Sequence, residues 1–322
     1  MNPLVSVITP CYNGEKKLYL FMNSMLEQTY DRVEFIIIND GSTDKTEEII
    51  LKYEKDFKKK GYRFIYLKQK NQGQDVALNN GLKYFTGDYL MWPDSDDILS
   101  STNIEEKVKF LEQNKSVGLV YCNTNIIKED NLNKVIKKWN KVLYKNRFEN
   151  INDIILNKIV FAGGAWMARS SSFLKENPSR EIIITGQGQN LQMLLPIAFN
   201  YDMGKIDKYL FTYIIYKNSH SNKKRTYEEM MKRIDDSIEG INNMLKNIKL
   251  EKVIYNKYSQ MVRNEWETIR LNTAIEYFEI ENSEIIYRNL KINNVKLKFK
   301  MKIKYYLNRC GIYKYIKKLR NK

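Results

Sequence analysis

Four short β-rich runs in the first hundred residues each end in a cluster of turn-forming or charged residues. Leu4 to Thr9 (LVSVIT) runs into PCYNGE, and Val33 to Asn39 (VEFIIIN) into NDGSTD. Phe64 to Leu67 (FIYL) runs into KQKNQGQD, and Tyr89 to Trp92 into PDSDD. Val117 to Tyr121 (VGLVY) reads as a fifth strand. Residues 16–28, 45–60, 75–85 and 104–113, which lie between these runs, have helix-like patterning. Strands alternating with helices predict a mainly parallel sheet covered on both faces. Near-continuous apolar strands suit that double burial. The polar clusters then converge at the C-terminal edge of the sheet, where open α/β sheets bind ligands.

The fourth cluster sets a chemical problem. Asp94, Asp96 and Asp97 crowd three carboxylates into four positions of a chain with net charge +16. No GxGxxG follows a strand and no GxxxxGK[ST] is present, so a glycine-rich phosphate cradle is missing. A divalent cation can neutralise phosphates instead. Mg²⁺ and Mn²⁺ favour carboxylate oxygen, and Mg²⁺ commonly binds through one or two carboxylates together with substrate phosphates. The competing reading is a helix N-cap, for which Asp and Ser are well suited; it applies best to Asp97.

The segments VSVITPCYNGE, IIINDGSTDKT, NQGQDVALNNGLKYFTGDYLMWPDSDD and, more weakly, GGAWMARSS together resemble a family 2 glycosyltransferase of the GT-A fold. The resemblance is close over about the first 100 residues and looser to about residue 220. It implies a Rossmann-like, mixed but mainly parallel sheet flanked by helices, which transfers a sugar from a nucleotide-sugar to an acceptor hydroxyl, usually with inversion. DSDD matches the family's DxD-type metal motif. By resemblance, Thr9, Pro10, Tyr12 and Asn13 border the nucleotide, together with Gly73 and Ser95. Asp40 accepts a hydrogen bond from the base, with uracil N3–H the expected donor; an Asx-turn is its structural alternative. Asp94 faces the ribose or base, and Asp96 ligates Mn²⁺ or Mg²⁺ at the diphosphate. His220, the only histidine, stands where relatives often have one near the metal. Trp166, Gln189 and Asn190 fall on the acceptor side.

The chain departs from the family pattern in two places. Ala77, Leu78 and Asn79 replace a common ARN motif, so the positive contact to the diphosphate or base is either lost or supplied by Lys68 or Lys70. Gln189 and Asn190 stand where inverting members carry Glu and Asp, and an amide cannot act as a general base at neutral pH. Gln187, Gln189, Asn190 and Gln192 can still bind sugar hydroxyls. Asp97, Asp153, Glu181 and Asp202 remain open as the base, as does a mechanism resting on leaving-group stabilisation.

Residues 1–221 therefore read as the GT-A domain and 222–295 as a helical extension. In that extension 227–246 and 251–278 form amphipathic helices that either cover the catalytic domain or make a homodimer face. From Lys296 to the end there are eleven Lys or Arg and no acid, which leaves a net +5 for everything before. The tail begins KLKFKMKIK, a period-two, strand-like pattern, and continues with Ile312, Ile316 and Leu319 at helical spacing. Such ends bind anionic membrane surfaces, which suits a lipid-linked or glycan acceptor in capsule or other bacterial surface polysaccharide synthesis; a solvated charged face or a nucleic-acid contact is the competing reading. No secretory leader is recognisable, and Cys11, Cys122 and Cys310 form no CxxC pair. The expected location is cytoplasmic and peripheral on the inner membrane face. A related nucleotidyltransferase and a basic nucleic-acid-binding protein are the alternatives; the acidic loop argues against the latter.

Overall fold

The computed structural model describes residues 2–144, 146–156, 158, 162–184, 188–217 and 224–320. The chain divides into two compact units, Met1–Asn222 and Lys223–Lys322. The first unit begins with β1 (Val5–Cys11), α1 (Leu18–Leu26), β2 (Val33–Asp40), α2 (Thr46–Lys59), β3 (Arg63–Gln69), α3 (Gln74–Leu82) and β4 (Tyr89–Met91). It continues with β5 (Ile98–Leu99), α4 (Asn103–Gln113), β6 (Val117–Lys128), β7 (Lys137–Trp139) and α5 (Arg147–Ile155). It closes with β8 (Trp166–Arg169), α6 (Ser170–Glu176), α7 (Gln189–Asn200) and β9 (Asp202–Ile215).

Among the described residues the strands are ordered β3-β2-β1-β4-β8-β6-β9-β5, with β7 paired to β6. β3, β2, β1 and β4 are mutually parallel. β8 lies antiparallel between β4 and β6. β6 and β9 run parallel, and β5 pairs antiparallel with β9. The result is a mixed, mainly parallel sheet flanked by helices, as the strand-helix alternation predicts. All eight residues of β2 are buried. Phe35 lies at the centre of an aromatic cluster, with ring centroids 6.0, 5.0 and 5.7 Å from Phe21, Phe57 and Phe64. The buried Glu34 accepts from Ser6 Oγ at 2.7 Å and pairs with Arg63 at 2.7 Å, which satisfies a charge that would otherwise be costly inside the sheet. β6 runs past Tyr121 to Lys128 because Asn123 and Thr124, which end the apolar run in sequence, are themselves buried in the strand. Asn123 donates there through Nδ2 to Asp207 Oδ1 at 2.8 Å.

The second unit is helical: α8 (Tyr227–Asn247), α9 (Lys252–Glu276), α10 (Ile280–Ile292), α11 (Phe299–Arg309) and α12 (Tyr313–Arg320). A capping box opens α8, where the Thr226 hydroxyl takes the Glu229 amide and the Glu229 side chain takes the Thr226 amide. The strand-like pattern of residues 296–304 is not realised; α11 occupies most of it. Packing overrides the alternation: Tyr305 is buried and Met301 partly buried against Leu271, Ile275, Ile286 and Leu290 of α9 and α10. The basic tail also finds its missing acids here. Lys304 and Lys317 pair with Glu276 at 2.5 and 2.7 Å, and Arg309 with Glu284 at 2.7 Å.

Burial alone would raise the Glu276 carboxyl, but hydrogen bonds from Lys304, Lys317 and Tyr313 outweigh it and bring it from 4.5 to about 2. A depressed carboxylate contributes its stability fully above its unfolded value and loses it as pH falls through the folded one. Glu276→Gln should therefore lower the unfolding free energy of the helical unit at pH 7, read from urea denaturation, by an amount on the order of 2 kcal/mol after allowing for solvent screening. The difference from wild type should narrow from about pH 4.5 down toward pH 2, where wild type is protonated as well. A pH-independent difference would mean that packing, not charge, makes the contribution.

Candidate active site

Because β1 to β4 are parallel, the loops that follow them share one edge of the sheet. The first two loops are stitched together. Asn13 takes a left-handed turn (φ 48°); its amide donates to Ser42 Oγ at 3.0 Å and its Oδ1 accepts from the Thr43 amide at 2.9 Å. The Gly14 amide donates to Thr46 Oγ1 at 2.7 Å and the Glu15 amide to Asp44 Oδ2 at 3.0 Å. Asp40 ties in the third loop. Its Oδ1 accepts from Gln69 Nε2 at 2.8 Å and the Gln72 amide at 3.0 Å, and its Oδ2 from the Gly73 amide at 2.9 Å. Gly41 (φ 69°) has to be glycine, since a Cβ there would collide with the Asn71 amide nitrogen.

The fourth loop divides its acids among different tasks. Asp96 is partly exposed and its Oδ2 lies 3.4 Å from Lys17 Nζ. Lys17 itself sits 3.9 Å above the Tyr216 ring centroid. Asp94 accepts from Gln74 Nε2 at 2.7 Å; burial, and then the neighbouring Asp96 charge, push its carboxyl up to about 6. Asp97 is buried, with Oδ1 accepting from the Ile214 amide at 2.9 Å. Burial, and then the charges of Asp96 and Asp94, raise it well above the usual carboxylate range. The Tyr216 hydroxyl donates to the Asp96 carbonyl at 3.0 Å. The end of β9 thus seats this loop from beneath. Ser95 hydrogen-bonds with Cys11, whose thiol burial pushes up to about 12, an inert position for a cysteine.

Several sequence expectations change here. Thr9, expected at the nucleotide, is fully buried in β1, whereas Pro10 is half-buried and Tyr12 is 51% exposed at the edge. Gly73 is held through its amide by Asp40. Lys68 is paired with Glu47 at 2.5 Å, so the cation at the acid cluster is Lys17. Trp166, expected on the acceptor side, is 1% exposed and stacks on Tyr121 at 4.7 Å, so its ring is part of the core. The Gln192 amide is engaged by the Ile183 backbone, at 2.6 and 2.8 Å, rather than free for a sugar. Of the other base candidates, Asp153 pairs with Lys141 at 2.7 Å. Asp202 opens β9, opposite Val117 at the start of β6, and therefore lies at the far edge of the sheet. Asp97 faces the Ile214 amide from a buried position and acts as a loop anchor. His220 and Gln187 lie outside the described residues.

Asn190, by contrast, comes to the site. Its Oδ1 accepts from Trp92 Nε1 at 2.6 Å, directly before the acidic loop. Gly163 allows this approach, because a Cβ there would strike the Trp92 carbonyl. Three polar anchors carry no sequence signal. Lys107 is fully buried and donates to the Gly164 carbonyl at 2.7 Å and Asn103 Oδ1 at 2.8 Å; burial pulls it down to about 8. Asn79 clasps Ile182 through bonds of 2.9 and 2.7 Å. Lys17 at Asp96 is the third; only the folded loops bring it there.

No group of three metal-ligating side chains occurs among the described residues. Asp94 and Asp96 still fit a hard divalent cation that takes its other ligands from a substrate diphosphate and water. Two neighbouring carboxylates, one forced upward by burial and then by the charge of the other, are a donor set that such a cation relieves.

Four loops at one edge of a mixed, mainly parallel sheet, with an acidic pair and Asn190 beside it, are the arrangement of a glycosyltransferase of the GT-A type. The chain belongs to glycosyl transferase family 2, whose family model matches residues 6–176. It is 40% identical over 128 residues to an uncharacterized glycosyltransferase of Rickettsia typhi, covering 39% of this chain and 38% of that protein. It is 35% identical over 120 residues to the glycosyltransferase GlyA of Streptococcus pneumoniae, covering 36% of this chain and 17% of that one. These matches thus span well under half of the relatives' own length. The fold resembles S. aureus TarS 1-349 in complex with UDP-GlcNAc, with a TM-score of 0.63 and 16% identity over 98% of this chain and 92% of that chain. It also resembles the mannosyltransferase PcManGT of Pyrobaculum calidifontis in complex with GDP-Man and Mn²⁺, with a TM-score of 0.56 and 16% identity over 100% and 88% of the two chains. Family membership decides between the enzyme readings that the sequence left open.

Proposed function

We propose that this glycosyltransferase moves a hexosyl or N-acetylhexosaminyl group from a UDP-sugar to a hydroxyl of a glycan or lipid-linked acceptor in bacterial surface polysaccharide assembly. The observation that carries this reading is the Asp94–Asp96 pair, set beside Lys17 at the same edge as the Asp40 loop. UDP-GlcNAc in one structural neighbour, and a nucleotide-sugar with Mn²⁺ in another, support the donor class and the cation. Asp94 and Asp96 would hold Mn²⁺ or Mg²⁺, which when bound offsets the charge of the leaving diphosphate. Lys17 adds positive charge at the same place. Asp97 and Tyr216 keep the loop in position from below. Asn190 orients the acceptor flank through Trp92 but cannot take up the acceptor's proton. With Glu181 still open as the base, leaving-group stabilisation is the part of the barrier reduction that this site supports, and inversion is the expected stereochemistry.

The test is a panel of UDP- and GDP-sugars assayed for nucleotide diphosphate release with Mn²⁺, with Mg²⁺ and with chelator. UDP release from a UDP-hexose or UDP-N-acetylhexosamine, lost with chelator, is expected. Release from GDP-sugars alone would refute the uridine assignment. Release unaffected by chelator would refute the role given to Asp94 and Asp96.

A further inference from the structure

Beyond sugar transfer, we propose that the helical unit seats the phosphate of an anionic phospholipid headgroup in a basic pocket and beds its exposed apolar side chains in the bilayer interface. The pocket has a volume of about 520 Å³ and is lined by Lys291, Lys296, Lys302, Asn294 and Tyr287, among others. The cations of the helical unit differ in their partners. Lys304, Lys317 and Arg309 are paired with Glu276 and Glu284 and hold the fold. Lys291, Lys296 and Lys302 have no acidic partner among the described residues and converge on one cavity. Lys302 stands in the first turn of α11, which begins at Phe299, so the positive end of that helix adds to the attraction for an anion.

The apolar surface beside this pocket is the second, independent observation. Phe299, Ile303 and Tyr306 follow one another at i, i+4 and i+7 on α11, and all are exposed, Phe299 by 79%. Ile312 precedes α12, and Tyr315 and Leu319 continue the same kind of stripe on it, also exposed. Lys298, Lys300, Lys314 and Lys318 flank these residues. Ile316, which the helical spacing would also expose, is half-buried. Apolar side chains interleaved with lysines suit the headgroup–acyl boundary, where rings and methylene stems bury and ammonium groups stay with phosphates. A nucleic acid would use the lysines but leave the apolar stripes in water. Among the described residues no helix is long and apolar enough to cross a membrane, so the attachment is to the surface.

The test is vesicle co-sedimentation of the full-length chain. Phosphatidylcholine vesicles are used with and without phosphatidylglycerol, at low and high salt. Wild type should bind only the anionic vesicles. Lys291→Gln/Lys296→Gln/Lys302→Gln should weaken this binding by at least about tenfold, against less than about threefold for Lys298→Gln/Lys300→Gln/Lys318→Gln, which removes equal charge outside the pocket. The triple arginine variant at the pocket positions should bind like wild type. Phe299→Ser/Leu319→Ser should remove the salt-resistant fraction. Equal losses in the two glutamine variants would reduce the pocket to general electrostatics and overturn the proposal. Absence of wild-type binding to anionic vesicles would also overturn it, and protection by inorganic phosphate without vesicle binding would reassign the pocket to a free anion. UDP release measured in parallel should stay unchanged in every variant. Its absence in wild type would count against the transferase reading alone.

Discussion

Asp96→Ala should reduce nucleotide-sugar turnover by at least about a thousandfold while leaving the melting temperature within a degree or two of wild type. The Asp96 side chain is partly exposed and its contact is one long ion pair with Lys17, a surface arrangement of small energetic weight. The loop is held by bonds that the substitution keeps: Tyr216 to the Asp96 carbonyl, and the Ile214 amide to the Asp97 side chain. The loss should therefore appear in chemistry and not in folding. Asp97→Ala is the contrasting variant. It removes a buried acceptor and leaves the Ile214 amide without its partner, which costs about 1–3 kcal/mol. UDP release across a Mn²⁺ titration, with melting curves for both variants, separates the two roles. Wild-type activity of Asp96→Ala at any Mn²⁺ concentration would remove this residue from the metal. A large fall in its melting temperature would make it a structural residue instead.

The sheet's parallel half was legible because β1, β2 and β4 are buried on both faces and their ends are marked by Gly, Asn, Asp and Pro. The other half was not. β8 is four residues long, and β9 mixes Lys205, Asp207 and Lys208 into its run, so neither shows a clean alternation. β6 continues through buried Asn123 and Thr124, polar residues that read as the end of an apolar strand; in the fold the Asn123 amide donates to Asp207. The acidic loop was legible as a site but not in its division of labour. Three aspartates within four positions look alike in sequence. They differ because Ile214 and Tyr216, more than a hundred residues later, return beneath Asp97 and Asp96. Trp166, expected on the acceptor side by resemblance, is buried and stacks on Tyr121, which places it in the core. In the tail, a lysine–apolar alternation imitated a strand. The helix won because its spacing buries Tyr305 and brings Lys304 to Glu276.

Asp40→Asn should weaken UDP binding by about tenfold to a hundredfold and lower the melting temperature together with it. The family resemblance implies that Asp40 accepts a hydrogen bond from the base, with an Asx-turn as the structural alternative. In the fold its two oxygens already accept from Gln69, Gln72 and Gly73. An ionised carboxylate has about four acceptor positions, so one remains for a ligand. An asparagine has a single oxygen and turns an NH₂ toward either the Gly73 amide or the Gln69 and Gln72 donors. At least one buried donor then faces another donor, a penalty of about 1–3 kcal/mol. The loop 70–73 should loosen, and Asn80, which donates to Gln69 Oε1 at 3.0 Å, should loosen with it. Affinity then falls for two reasons, a lost contact and a loop that must be ordered on binding. Calorimetric titration with UDP, alongside thermal melts, separates them. Lower affinity with an unchanged melt would leave Asp40 a direct base contact and nothing more. A lower melt with unchanged affinity would make it a loop anchor only. The double hydrogen bonding at Oδ1 and the single bond at Oδ2 predict that both will fall.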